Sequence, residues 1–186
     1  MYVYRLIEGN NIAIRASELL NGIYWGERVF KYLIHIITGT FVLMVSTLAA
    51  WYEGSTITNI SWEWKYSTPF SNLFNIEILN GQDISQLDYF VYAVKFQPFF
   101  PALMLISVLY IIGIIIFYLI KLKSIWTSII GGFMGICLLI ISGFISNPST
   151  NGGWIFLWIS LSSGMIYTII AVWFTIYRLR HGEVAK

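Results

Sequence analysis

Four stretches of the chain, roughly 32–51, 99–120, 125–145 and 154–177, are almost continuously apolar and contain no Asp, Glu, Lys or Arg. Each is about the 20 residues that an α-helix needs to cross ~30 Å of hydrocarbon. The pattern predicts an all-α membrane protein built as a four-transmembrane-helix bundle. It divides the chain into a cytoplasmic N-terminal segment (1–30), a four-span membrane domain (31–177, with a long outer loop at 52–98) and a cytoplasmic tail (178–186). Residues 1–30 hold Glu8, Glu18 and Glu27 and no short apolar core, so the first span reads as a retained anchor rather than a secretory signal.

The loop has a pattern of its own. Ser61-Trp62-Glu63-Trp64-Lys65-Tyr66-Ser67 alternates polar and aromatic residues, the period of a strand with one apolar face, and 57–60 just before it is β-prone. Residues 76–79 form a second candidate strand, followed by Asn80-Gly81, a favoured hairpin turn, and a short third candidate at 82–84. Ser85-Gln86-Leu87-Asp88 has the spacing of a capping box. Leu87, Phe90, Val91 and Val94 would line one face of a short amphipathic helix ending near Phe96, with Pro98 and Pro101 at the entry to span two. The expectation is thus a small extracytoplasmic β-containing loop and a short amphipathic helix between spans one and two.

Composition strengthens the membrane reading: 58% of the residues are hydrophobic and only 11% are charged, against roughly 25% in soluble domains. A net charge of +2 is too small to suggest nucleic acid. The charges are sorted instead by side. Arg5, Arg15, Arg28 and Lys31 precede span one, Lys121 and Lys123 lie between spans two and three, and Arg178, Arg180 and Lys186 follow span four. The long loop holds only Lys65 and Lys95 against Glu53, Glu63, Glu77, Asp83 and Asp88, and 146–153 has no charge. The positive-inside rule then places both termini in the cytoplasm of a multi-pass cell-membrane protein. Trp25, Tyr32, Trp126 and Tyr177 fall near one boundary and Trp51, Tyr52 and Trp154 near the other, as interfacial belts do.

Apolar helices associate in lipid through close backbone approach, so small residues mark contact faces. Span one offers His35, Gly39, Val42, Ser46, Ala49 and Glu53 as a stripe, span three offers Ser128, Gly131, Gly135 and Ser142, and span four offers Ser160, Gly164 and Ala171. Span two has only Ala102, Ser107 and Gly113, scattered around it, and is expected to be the most lipid-exposed. His35 is a candidate intramembrane polar site. With no carboxylate in any span to partner it, the preferred reading is an interhelical hydrogen-bonding group. Cys137, the single cysteine, reads as a small hydrophobe and excludes an intrachain disulfide.

The richest chemistry lies in Trp62, Glu63, Trp64 and Tyr66, which are either core of the loop or an exposed platform for a partner, glycan or lipid. Asn59-Ile60-Ser61 fits a glycosylation acceptor only in a eukaryotic secretory route. The order of spans, β-containing loop and short helix resembles claudins, although the paired loop cysteines of claudins are absent. Leu48-Ala-Ala-Trp-Tyr-Glu-Gly54, Trp62-Glu-Trp-Lys-Tyr-Ser-Thr-Pro-Phe70 and Asp83-Ile-Ser-Gln-Leu-Asp-Tyr-Phe-Val-Tyr92 resemble the YjdJ-like small membrane proteins of Bacillus and relatives over roughly residues 40–120. That resemblance implies a membrane location and no known activity.

No nucleophile–base spacing, metal-ligand cluster or glycine-rich phosphate loop stands out, so no cofactor or metal is expected. The leading functional expectation is a non-enzymatic accessory, interaction or sensor protein that uses its outer loop. A small transporter or channel subunit acting as an oligomer is the first alternative, and a membrane-embedded enzyme the second. Expected partners are the lipid bilayer and either another membrane protein or a second copy of the chain.

Overall fold

A computed structural model describes residues 29–146 and 148–180. The chain forms two compact units, 1–38 and 39–186. Of the first unit, residues 29–38 are described and are helical. The second unit holds most of the spanning helices and the segment between the first two of them. Arg5, Arg15, Trp25, Arg28 and Lys186 lie outside the described residues.

The four apolar stretches are four long helices: α1 (29–54), α5 (Phe99–Lys121), α6 (Trp126–Phe144) and α7 (Asn151–Arg180). All four are long and apolar enough to cross a bilayer. The connections from α5 to α6 and from α6 to α7 are only a few residues long, which makes these three helices sequential antiparallel neighbours.

Small side chains set how closely α6 and α7 approach. On α6, Thr127, Gly131, Gly135, Leu138 and Ser142 are buried, and on α7 so are Ser160, Gly164, Tyr167, Ala171 and Phe174. Gly135 lies opposite Thr168 and Gly164. A Cβ placed on Gly135 would stand 2.4 Å from Thr168 Oγ1 and 2.8 Å from the Thr168 backbone nitrogen. At Gly131 a Cβ would meet the Ala171 methyl at an ordinary 3.5 Å. The Thr175 hydroxyl also bridges the pair, donating to Ser128 Oγ at 2.9 Å.

The α5 helix joins this pair differently. Leu109 and Ile116 pack with Leu138 and Tyr167, flanked by Leu105, Ile112 and Ile120. Bulky aliphatic side chains at helical spacing, rather than small ones, make this seam, so the lack of a small-residue stripe in span two did not leave it without a packed face. The Tyr167 hydroxyl donates to the Leu109 carbonyl, tethering α7 to α5 in the apolar interior. The buried positions of α1 in this unit are Gly39, Ser46, Ala50 and Gly54. The last two are displaced by one residue from the expected Ala49 and Glu53. Gly39 brings α1 against α5, where an added Cβ would stand 2.9 Å from Ile111.

The 55–98 segment differs most from expectation. No strand occurs among the described residues, and the β-containing loop is replaced by short helical turns. Turns of 3-10 helix run over Ser55–Asn59, Ser61–Glu63 and Gly81–Asp83. Two single-turn α-helices follow the first pair, α2 (Trp64–Ser67) and α3 (Pro69–Leu73). Asn80-Gly81 does not turn a hairpin. Asn80 instead caps the Gly81–Asp83 turn, and the Asp83 carboxylate accepts from the Asn80 N–H at 2.7 Å. The amphipathic helix α4 runs over Gln86–Phe96. Its protein-facing side is Asp88, Tyr92 and Ala93, whereas Leu87 is exposed and Phe90, Val91 and Val94 are half-buried.

Two glycines set the position of α4. A Cβ on Gly54, at the end of α1, would stand 2.0 Å from the Tyr89 carbonyl oxygen, and one on Gly152, at the start of α7, would stand 1.8 Å from that of Val94. Helix α4 therefore lies across the adjacent ends of two spans, and the turns 55–83 pack on it to form a cap. Ile57, Ile84 and Tyr92 are the cap's small apolar core, with Ile60, Trp64, Ile78 and Tyr89 around them.

Candidate functional site

The cap concentrates the charged and aromatic side chains, and two buried carboxylates organise it. Glu63 is 4% exposed. Its Oε1 accepts from Lys95 Nζ at 2.9 Å and from the Ser67 hydroxyl at 2.5 Å. Lys95 Nζ also donates to Ser67 Oγ at 2.7 Å and to the Tyr66 carbonyl at 3.3 Å. Helical spacing puts Glu63 and Ser67 on one side of α2, where the last turn of α4 presents Lys95. Burial pushes the Glu63 carboxyl up, but the hydrogen bonds from Lys95 and Ser67 and the ammonium charge outweigh it, so its pKa is lowered. The Tyr92 phenol is raised by burial and, secondarily, by the Glu63 charge.

Asp88 is fully buried. One of its oxygens accepts from the Phe70 N–H and the other from the Ser71 N–H, both at 2.8 Å, and the second also accepts from the Ser71 hydroxyl at 2.6 Å. These are the N–H groups of the second and third residues of α3, whose first residue, Pro69, has none. Thr68 and Pro69 open that helix without a side-chain cap of their own, so a carboxylate from α4 satisfies its orphan donors and its dipole. The Ser71 hydroxyl in turn accepts from the Ser85 N–H at 2.9 Å. The expected capping box at 85–88 is thus only half present. Ser85 caps α4, accepting from the Leu87 N–H at 3.4 Å, but Asp88 is committed elsewhere.

The four side chains expected to form one contact surface divide into two sets. Trp62 and Tyr66, a helical turn apart, are 70% and 68% exposed. Trp64 turns inward and donates its indole N–H to the Ile57 carbonyl at 2.8 Å, and Glu63 is buried in the ion pair. Lys65 stands beside the exposed pair, its Nζ 5.9 Å from the Tyr66 ring centre. Of the Trp62–Tyr66 segment, Trp62, Lys65 and Tyr66 are accessible, and elsewhere on the cap Leu73, Phe74 and Leu79 are exposed as well. His35 falls in the unit 1–38. Gly39, Gly131, Gly135 and Gly164 lie at helix contacts, away from the cap.

Chemically, the Glu63–Ser67–Lys95 cluster resembles a serine–lysine arrangement, but its geometry is a clasp. Ser67 is fully buried, and its hydroxyl and the Lys95 amine both converge on the same Glu63 oxygen. Among the described residues no three His, Cys, Asp or Glu side chains gather as a metal site requires.

Comparison with known proteins places this architecture. A family model described as a domain of unknown function (DUF4306) matches residues 33–120, which span α1 from its second turn, the cap and all but the last residue of α5. A relative, "Uncharacterized protein YjdJ" of Bacillus subtilis (strain 168), is 35% identical over 89 residues, covering 46% of this chain and 82% of the relative. The chain belongs to this YjdJ-like family. The family's defining region is thus the α1–cap–α5 unit, and the α6–α7 hairpin lies beyond the matched model. With 82% of that relative already aligned, the remainder of it is too short for a second hairpin of this size. No solved structure matches the chain. The likeness to claudins finds no support: it rested on a β-containing loop, and in this YjdJ-like chain that loop is helical.

Proposed function

We propose that this protein is a non-enzymatic accessory protein of the cell membrane, whose cap lies on the extracytoplasmic side and docks on another envelope component through Trp62, Lys65 and Tyr66. The observation that carries this reading is the burial of the cap's own polar groups. Glu63, Asp88, Ser67 and Ser71 are consumed in holding the cap together, whereas the two large amphipathic rings of Trp62 and Tyr66 and the Lys65 cation are at its surface, together with the apolar Leu73, Phe74 and Leu79 and the acids Glu77 and Asp83. Aromatic residues held by a rigid frame can engage a partner at low entropic cost.

The sidedness rests on charge. With Glu53 at the end of α1, the cap's connection holds five acids against two lysines over residues 52–98, whereas Lys121 and Lys123 mark the opposite turn. Both termini then face the cytoplasm. Impermeant thiol labelling of intact cells tests this on exposed positions: Asn72→Cys and Ser149→Cys label, and Lys123→Cys does not. Labelling at position 123 alone would reverse the orientation.

The contact itself is tested with a photo-crosslinking amino acid at Tyr66 in growing cells, with one at Phe133 on α6 as the control. A discrete adduct at 66 that is absent at 133 and lost in Trp62→Ala is the expected outcome. Adducts of the same kind at both positions would remove the cap as a docking surface.

A further inference from the structure

Helix α4 meets the boundary of the bilayer through three spans at once. The Gly54 end of α1 stands against the Tyr89 carbonyl, and the Gly152 start of α7 stands against that of Val94. Only Gln97 and Pro98 separate α4 from the first residue of α5. Exposed aromatic side chains mark each of these places: Trp51 and Tyr52 on α1, Trp154 on α7 and Phe99 on α5. Trp and Tyr rings of spanning helices settle at headgroup level. Gly54 comes three residues after Trp51 and Gly152 two before Trp154, about 4.5 and 3 Å of helix rise. A headgroup layer is roughly 5–7 Å thick, half the difference between ~30 Å of hydrocarbon and 40–45 Å of whole bilayer. Two well-separated points on α4, at Tyr89 and Val94, therefore fall inside that layer, so the helix runs along it rather than out of it.

We infer that α4 is an interfacial helix, embedded among the lipid headgroups of the leaflet on the cap's side and touching lipid on both flanks. Its exposed apolar side chains are Leu87 and Phe96. They are nine residues apart, and at about 100° per residue they stand on opposite flanks of the helix. Asp88 and Lys95 fall between those flanks, and both are drawn into the cap, Asp88 by Phe70 and Ser71 and Lys95 by Glu63 and Ser67. The exposed polar residue of α4, Gln86, is uncharged. A helix lying in water keeps its charges on the solvent side. Helix α4 turns its charges to the protein and leaves its apolar flanks outside, the arrangement that a headgroup and acyl boundary stabilises.

The test uses the full chain in phosphatidylcholine nanodiscs, with Cys137→Ala removing the native thiol and a nitroxide attached through Leu87→Cys or Phe96→Cys. Electron paramagnetic resonance reads collisions with oxygen, which concentrates in lipid, and with a water-soluble nickel chelate. Glu77→Cys, at an exposed acid of the turns, is the aqueous reference, and Phe133→Cys, exposed on α6, is the lipid one. The oxygen-to-nickel ratio at 87 and at 96 should be at least threefold that at 77. A second measurement needs no substitution: phosphatidylcholine carrying a diazirine beside its glycerol should leave adducts on residues 86–96 within about twofold of those around Trp154. A ratio at 87 or 96 no higher than at 77 would overturn the inference, as would adducts around Trp154 with none on 86–96. Low access of both probes at 87 or 96 would also overturn it, because a neighbouring protein rather than lipid would then cover the helix.

Discussion

Gly135 and Gly131 are four residues apart in sequence and differ sharply in what they tolerate. At Gly135 the nearest neighbours of an added methyl include backbone atoms of Thr168 and Gly164, which cannot step aside. Gly135→Ala should therefore lower stability in detergent by about 1–2 kcal/mol, whereas Gly131→Ala should stay within about 0.5 kcal/mol of the parent. Thermal unfolding of the two variants side by side decides this, and equal losses would mean that the seam lies elsewhere. Asp88 gives a second single-residue expectation. Asp88→Asn keeps the shape but replaces a carboxylate oxygen by a donor facing the donors of Phe70 and Ser71, and should cost about 2–3 kcal/mol. Hydrogen exchange at the amides of residues 70 and 71 should accelerate first.

At the scale of elements, the spans were legible in sequence because about 20 apolar residues without charge have one common solution in lipid. The cap was not, and the reason is arithmetic. Positions i and i+4 share a face in both a strand and a helix, so Trp62 with Tyr66, and Glu63 with Ser67, fit either period. Only Trp64, midway between the exposed pair, distinguishes them, and it turns inward to the Ile57 carbonyl. Burial of Glu63 was likewise invisible, since its partner Lys95 is far along the chain on α4. That pairing makes the cap sensitive to acid. A carboxyl whose folded pKa is lowered stabilises the fold fully above its unfolded value and loses that contribution as pH falls through the folded value. Cap stability, followed by hydrogen exchange over residues 64–71, should be flat from neutral pH to about 4.5 and fall below it. Glu63→Gln should weaken the cap at neutral pH and remove the part of the acid-induced fall that this pair supplies. A full fall persisting in Glu63→Gln would assign the acid response to another group.

At the scale of the whole molecule, the matched family region and the α6–α7 hairpin meet at a seam of large aliphatic side chains, with one tyrosine hydroxyl crossing it. Tyr167→Phe removes that crossing bond without removing the ring. It should lower overall stability by about 1 kcal/mol and leave the cap's exchange unchanged, and a loosened cap in this variant would show the two regions to be more tightly coupled than their packing indicates.

The position of Gly152 has a consequence for how the protein is made. Helix α4 is synthesised well before α7, yet the surface on which its last turn rests belongs to the first turn of α7. Until the fourth span has entered the bilayer, one of the two surfaces that flank α4 is missing. A chain stalled after α6 would leave the Val94 and Lys95 carbonyls uncovered on that side, whereas one that has threaded its last helix covers them with Gly152.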